Sequence, residues 1–128
     1  MPANSPEEVH VLFARHFSAG DLESLLSLYE PGATLVPQPG PVVTGLAGIR
    51  VAMNEFLALK PQFDLQLKRT FQAGDIALVL STWQLKGTDP NGGVVEMAGQ
   101  TSDVVRRQPD GTWLLVIDVP HGAEAAND

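Results

Sequence analysis

The chain has no cysteine, which excludes disulfides and thiolate-held metal sites. It is poor in basic residues, with 8 Lys and Arg against 15 Asp and Glu and a formal charge of −7. Nucleic acid and anionic membrane surfaces both call for a basic face. Lys60, Lys68, Arg69, Lys86, Arg106 and Arg107 are scattered along the chain, so neither partner is expected. No apolar run approaches the ~20 residues of a membrane-spanning helix. The stretch from Met1 to Pro6 lacks the basic and apolar regions of a secretory leader, so the expectation is a cytoplasmic protein. The histidines stand at 10, 16 and 121. No two of them have the i,i+3 or i,i+4 spacing of a helical metal site, and no metal or other cofactor is expected. Gly45-Leu46-Ala47-Gly48 and Gly92-Gly93 lack the Lys-Ser/Thr of a phosphate loop, and no G-x-S-x-G elbow exists for a serine nucleophile.

What is present is enough apolar residue for one core. Hydrophobic residues make up 44% of 128 and charged residues 18%, which separates the chain from disordered sequences. A chain of this length is one domain, here 1–128, with its core over about 6–120.

Ser5-Pro6-Glu7-Glu8 predicts a helix start, with Ser5 as N-cap, Pro6 at the first helical position and Glu8 closing a capping box. Val9, Leu12, Phe13, His16 and Phe17 recur at helical spacing, and Gly20 ends the helix. Asp21 caps a second helix with Leu22, Leu25, Leu26 and Tyr29 as its buried stripe, stopped by Pro31-Gly32. Short strands are expected over 33–36 and 42–44, separated by a stiff loop, Pro37-Gln38-Pro39-Gly40-Pro41. A third helix follows Thr44-Gly45 with the stripe Ile49, Ala52, Met53, Phe56 and Leu57. The remainder reads as four long strands. Phe63, Leu65, Leu67 and Phe71 alternate with polar residues, and 76–86 is almost wholly apolar, as if covered on both faces. Gly99 in 94–107 suggests a bulge or bend, and 112–119 is the last strand, before a tail expected to fray from Gly122. Helices grouped before strands argue for an α+β fold.

Certain residues carry a family resemblance over roughly 6–120. They are Ala19-Gly20-Asp21-Leu22 with Leu25 to Tyr29, Pro31-Gly32-Ala33-Thr34-Leu35, Thr44-Gly45 with Gly48-Ile49, and Asp110-Gly111-Thr112-Trp113. In these the chain resembles the NTF2-like superfamily, which includes the ketosteroid isomerases and SnoaL-type polyketide cyclases. Its C-terminal pattern is most similar to the SgcJ-type stand-alone domains. The resemblance implies a cone: three N-terminal helices packed on a curved antiparallel sheet of about six strands, enclosing an apolar pocket. It is specific for the fold and not for a reaction.

Ketosteroid isomerases use an Asp base and an oxyanion hole of Tyr and protonated Asp. By resemblance the base falls at Val36 or Pro37, the tyrosine at Phe13 and the acid at Asp103. Of these three only Asp103 is retained, so the isomerase reaction as that family runs it is not expected. Two placements stand for Asp103: in the pocket beside Thr101, where burial makes a carboxyl a neutral donor, or outside, paired with Arg106 or Lys86. Asp118 either enters the pocket mouth or ends its strand in solvent. His16 is either a core residue or a base, and His121 either folds over the pocket or is exposed. Trp83 is either a cavity wall or an outer-face residue. Two functions remain open. One is a pocket for a small apolar or aromatic molecule, with Asp103 and Asp118 as donors or base and Tyr29, Trp83, Thr101, His16, Phe13 and Met53 lining it. The other is a non-catalytic association module. A homodimer through the sheet face fits both, because an all-apolar strand needs cover on two sides.

Overall fold

Local capping sets the first helices. In the computed structural model, which describes residues 2–37 and 41–122, α1 runs Pro6–Ala19 and α2 runs Leu22–Leu26. The Ser5 hydroxyl accepts from the Glu8 N–H, and the Glu8 carboxylate accepts in turn from the Asn4 N–H. Gly20 closes α1 in the left-handed region at φ 69°, where a residue without Cβ is strain-free. The Asp21 carboxylate caps α2 through the Ser24 N–H.

The remaining elements are β1 (Tyr29–Leu35), β2 (Val43–Thr44), α3 (Leu46–Leu57), β3 (Gln62–Ala73), β4 (Ile76–Thr88), β5 (Val94–Arg107) and β6 (Trp113–Val119). The strands form one sheet in the order β2-β1-β6-β5-β4-β3. Helices α1 and α3 lie on its inner face, and α2 packs between them. Val9, Leu25, Leu35, Ile49, Val79 and Leu115 are fully buried at this junction. The fold is α+β, with three helices on a six-stranded sheet. Among the described residues no helix is long and apolar enough to cross a membrane.

The sheet is mixed, not antiparallel throughout: β1 pairs with β6 in parallel. The chain leaves β1, makes α3 and the two long hairpins, and returns as β6 beside β1. That edge also explains a second difference. The sequence places Tyr29 at the end of helix two, but α2 stops at Leu26 and Tyr29 opens β1. The Leu28 carbonyl accepts from the Leu115 N–H at 2.7 Å, so sheet pairing captures the chain before another helical turn can form. Pro31-Gly32 is then absorbed as an irregularity within β1, between Tyr29 and Thr34. Of the expected Pro37–Pro41 loop, Gln38, Pro39 and Gly40 lie outside the described residues, as does the tail beyond Gly122.

Two bulges decide which side chains face inward. In β3 the register skips Lys68, since Leu67 opposes Ser81 and Arg69 opposes Leu80. The alternation is reset there, and Phe71 points outward, 46% exposed, instead of continuing the inner row. In β6 the register skips Val116, since Val105 opposes Leu115 and Val104 opposes Ile117. Gly99, expected to mark a bulge, sits in an unbroken register opposite Trp83. Only the inner row of β4 is fully covered within this chain; Ile76 and Leu78 on its outer row are 39% and 37% exposed.

Candidate functional site

The inner rows of β4 and β5 converge on one polar cluster in an otherwise apolar interior. Ser81 opposes Thr101, and Val79 opposes Asp103. Asp103 in turn opposes Asp118 across the β5–β6 ladder. Cross-strand partners on one face hold their Cβ atoms about 4.5–5.5 Å apart. Asp118 reaches the inner face because of the Val116 bulge. Leu115 points inward, so strict alternation would turn Ile117 inward and Asp118 out. The skipped residue reverses this, leaving Ile117 at 39% exposed and Asp118 at 4%.

A further member comes from α1. His10, on the buried stripe one turn before Phe13, is 1% exposed. Its Nε2 lies 2.6 Å from Asp103 Oδ2, and its Nδ1 lies 2.7 Å from Ser81 Oγ. Thr101 Oγ1 donates to Asp103 Oδ1 at 2.8 Å, and the Val119 N–H donates to the same oxygen at 2.9 Å. The Tyr29 hydroxyl donates to Asp118 Oδ2 at 2.5 Å. The result is a continuous buried chain: Ser81, His10, Asp103, Asp118, Tyr29.

Two carboxyls in contact inside a protein do not both ionise; the pair holds one proton. Burial alone would raise Asp103. The hydrogen bond and charge of His10, with bonds from Asp118 and Thr101, outweigh that and hold its carboxyl below the ordinary range. Burial pushes Asp118 well above the ordinary carboxyl range, and the neighbouring Asp103 charge adds to the rise. Burial, then the adjacent Asp118 carboxyl, likewise lifts the Tyr29 phenol well above its usual value. Asp103 is therefore the carboxylate and Asp118 the neutral acid. Because an ionised carboxylate only accepts, His10 Nε2 carries a proton. Asp103 has about four lone-pair positions, and these are taken by His10, Thr101, Val119 and Asp118. Asp118 is the carboxyl left with capacity toward the cavity.

That cavity lies between α1, α3 and the sheet, and it is small, about 60 Å³. His10, Thr101, Asp103 and Asp118 form its polar end; Phe13, Phe17, Met53, Phe56, Phe63 and Trp83 are among its apolar walls. Of the residues the sequence singles out, Phe13, Met53, Trp83, Thr101, Asp103 and Asp118 come together here. Asp103 faces inward and does not pair with Arg106, which binds Glu30 instead. Tyr29 stands behind Asp118 and does not line the cavity. His16 does not reach it: this residue is half-buried in the last turn of α1, and its carbonyl accepts from the Asp21 N–H. His121 and Pro120 stand at the rim of the cavity. Sequence reasoning passed over His10. Its spacing from Phe13 (i+3) and Phe17 (i+7) put it on the buried stripe, and that was the available signal.

Ser81, His10 and Asp103 are linked in the order of a nucleophilic triad, but Ser81 is 1% exposed and does not line the cavity. Its hydroxyl sits behind the imidazole and fixes the ring; it has no path to a substrate. Among the described residues no group of three or more His, Asp or Glu is placed to hold a metal ion.

Solved structures share this architecture at low identity. A ketosteroid isomerase-like protein from Erwinia carotovora atroseptica superposes with TM-score 0.81 at 18% identity, covering 88% of this chain and 89% of that one. A candidate dehydratase of the NTF2-like family from Streptomyces avermitilis gives 0.75 at 24%, covering 88% and 90%. A candidate calcium/calmodulin-dependent protein kinase II association domain from Xanthomonas campestris gives 0.71 at 22%, covering 90% and 86%. At these identities the likeness concerns the fold and not the chemistry. No curated protein sequence matches the chain. The family model of the SnoaL-like domain matches residues 10–116, and the chain belongs to that family, with the fold of the ketosteroid isomerase-like and NTF2-like structures above.

Proposed function

We propose that the cavity binds a small apolar molecule bearing an uncharged oxygen, and that Asp118 exchanges a proton with it. The reaction type is the acid–base kind of an isomerase or cyclase. The observation that carries this is the cross-strand pair Asp103–Asp118, buried at the polar end of an apolar cavity. Without a ligand Asp118 donates its proton to Asp103, and a ligand oxygen at the polar end can draw it away. Burial and the neighbouring Asp103 carboxylate favour the protonated form of Asp118 until a ligand oxygen competes for the proton. Asp103 and His10 are positioning residues in this reading, and Tyr29 and Ser81 support them from behind.

A thermal-shift series with small aromatic ketones and phenols tests it. A ligand of the native state raises stability by RT ln(1 + [L]/Kd), about 2.7 kcal/mol at a hundredfold excess over Kd. A saturable upward shift in the wild type, with turnover lost in Asp118→Asn, is the expected result. A flat response across the series would remove the proposal.

A second reading concerns the outer sheet face. Phe71, Leu78 and Ile117 are exposed there in one row that crosses β3, β4, β5 and β6 through Val104, with Ile76 beside Leu78 on β4, and a monomer seldom leaves such a patch uncovered. We propose that a second copy of the chain covers it. The candidate association domain among the structural neighbours is consistent with this. Light scattering after size exclusion should give twice the chain mass for the wild type and the monomer mass for Leu78→Lys. A wild type that stays monomeric at about 100 µM, far above the Kd range of standard interfaces, would end the idea.

A further inference from the structure

Trp83 stands on the inner row of β4, directly opposite Gly99 of β5. Its indole leans across β5 instead of standing upright. A Cβ built on Gly99 would come within 3.1 Å of Cε2, Cζ2 and Nε1 of the ring. Beyond β5 the indole Nε1–H donates to the Pro120 carbonyl at 2.7 Å. His121 stands edge-on to the ring at 5.3 Å and 80°, and Phe63 stacks beside it at 6.0 Å and 30°. The ring is fixed from three directions and still lines the cavity.

Gly99 calls for a reason. It lies in an unbroken strand register and has no positive φ, so the backbone does not require glycine there. Glycine within a strand costs order and packing. What its missing side chain provides here is the space the indole occupies. We infer that the Trp83 indole is a flat wall of the ligand slot and that Gly99 sets the slot's width, so that the cavity selects a flat, uncharged ring bearing an oxygen.

This rests on the reading of the cavity as a ligand site. Offset stacking favours a flat ring over a puckered one of equal size. The polar end already holds the buried Asp103 carboxylate, so a ligand carboxylate would bury a second negative charge beside it.

Calorimetric titration with 2-naphthol, its saturated analogue decahydro-2-naphthol, 2-naphthoate and phenol tests the inference. The wild type should bind 2-naphthol about five- to tenfold tighter than the saturated analogue and about a hundredfold tighter than the carboxylate. Gly99→Ala pushes the indole into the slot; its affinity for 2-naphthol should fall about tenfold while that for phenol stays within about twofold. Trp83→Leu, which removes the flat face, should lose the preference for the flat ring. Equal binding of the flat and saturated compounds by the wild type would overturn the inference and leave the cavity a ligand site. An unchanged ranking in both variants would do the same. Failure of all four compounds to bind the wild type would remove the ligand-site reading and this inference with it.

Discussion

Asp103→Ala should destabilise the protein by about 3–5 kcal/mol, the range for removing one partner of a buried charged pair. The loss goes beyond one contact. His10 Nε2–H, the Thr101 hydroxyl, the Val119 N–H and the Asp118 proton all converge on this carboxylate, and with alanine there they stay buried with no acceptor. Each orphaned group costs roughly 1–3 kcal/mol, less whatever relaxation recovers. Against a total stability of about 5–15 kcal/mol for a domain, the variant should sit close to unfolding, with a urea midpoint far below that of the wild type. Asp118→Asn should behave differently, although the two carboxyls face each other in the same ladder. The amide oxygen can accept from Tyr29 and the amide N–H can donate to Asp103, as the Asp118 acid does. Its cost should stay within about 1 kcal/mol. The asymmetry between the two variants is the diagnostic. If Asp103→Ala cost no more than Asp118→Asn, the cluster would be hydrated and not sealed, and the assignment of charge to Asp103 would be wrong.

What the sequence made legible was whatever is decided locally. The Ser5, Gly20 and Asp21 caps and the bounds of β5 follow from residues within a few positions of one another. The family position of Asp103 brought one member of the cluster into view. The rest is set by distant strands. Tyr29 belongs to β1 because the edge of β6, more than eighty residues further on, pairs there. Phe71 and Asp118 change face through bulges at Lys68 and Val116, and neither residue is a glycine or proline that would announce one. His10 was passed over because its partners, Ser81 and Asp103, are 71 and 93 positions away. The parallel β1–β6 pair was hidden for the same reason: local patterning marks strands, and only the closure of the sheet orients them.

Stability should fall as pH rises above about 4, and Asp118 should be the cause. Its folded pKa lies well above that of the unfolded chain, chiefly through burial. Between about pH 4, where an unfolded aspartate titrates, and its raised folded value, the native state holds a proton that the unfolded state has released. Its contribution is complete below about pH 4 and is lost as pH climbs through that folded value, with a slope of up to about 1.4 kcal/mol per pH unit for one proton. Asp103 acts in the opposite sense. Its folded pKa is lowered, the bonds from His10, Asp118 and Thr101 outweighing burial; its contribution is present above about pH 4 and is lost as pH falls through the lower folded value. The two windows meet near pH 4, so the cluster is most stabilising in mild acid. Tyr29, also raised by burial, adds a further decline only above about pH 10. Asp118→Asn removes the decline above about pH 4 and leaves the acid limb in place. Urea midpoints measured from pH 5 to 9 should therefore fall for the wild type and stay nearly level for Asp118→Asn. Parallel curves would place the shared proton elsewhere. A wild-type midpoint that rose with pH would mean that Asp118 is ionised in the folded protein, reversing the roles of the two carboxyls.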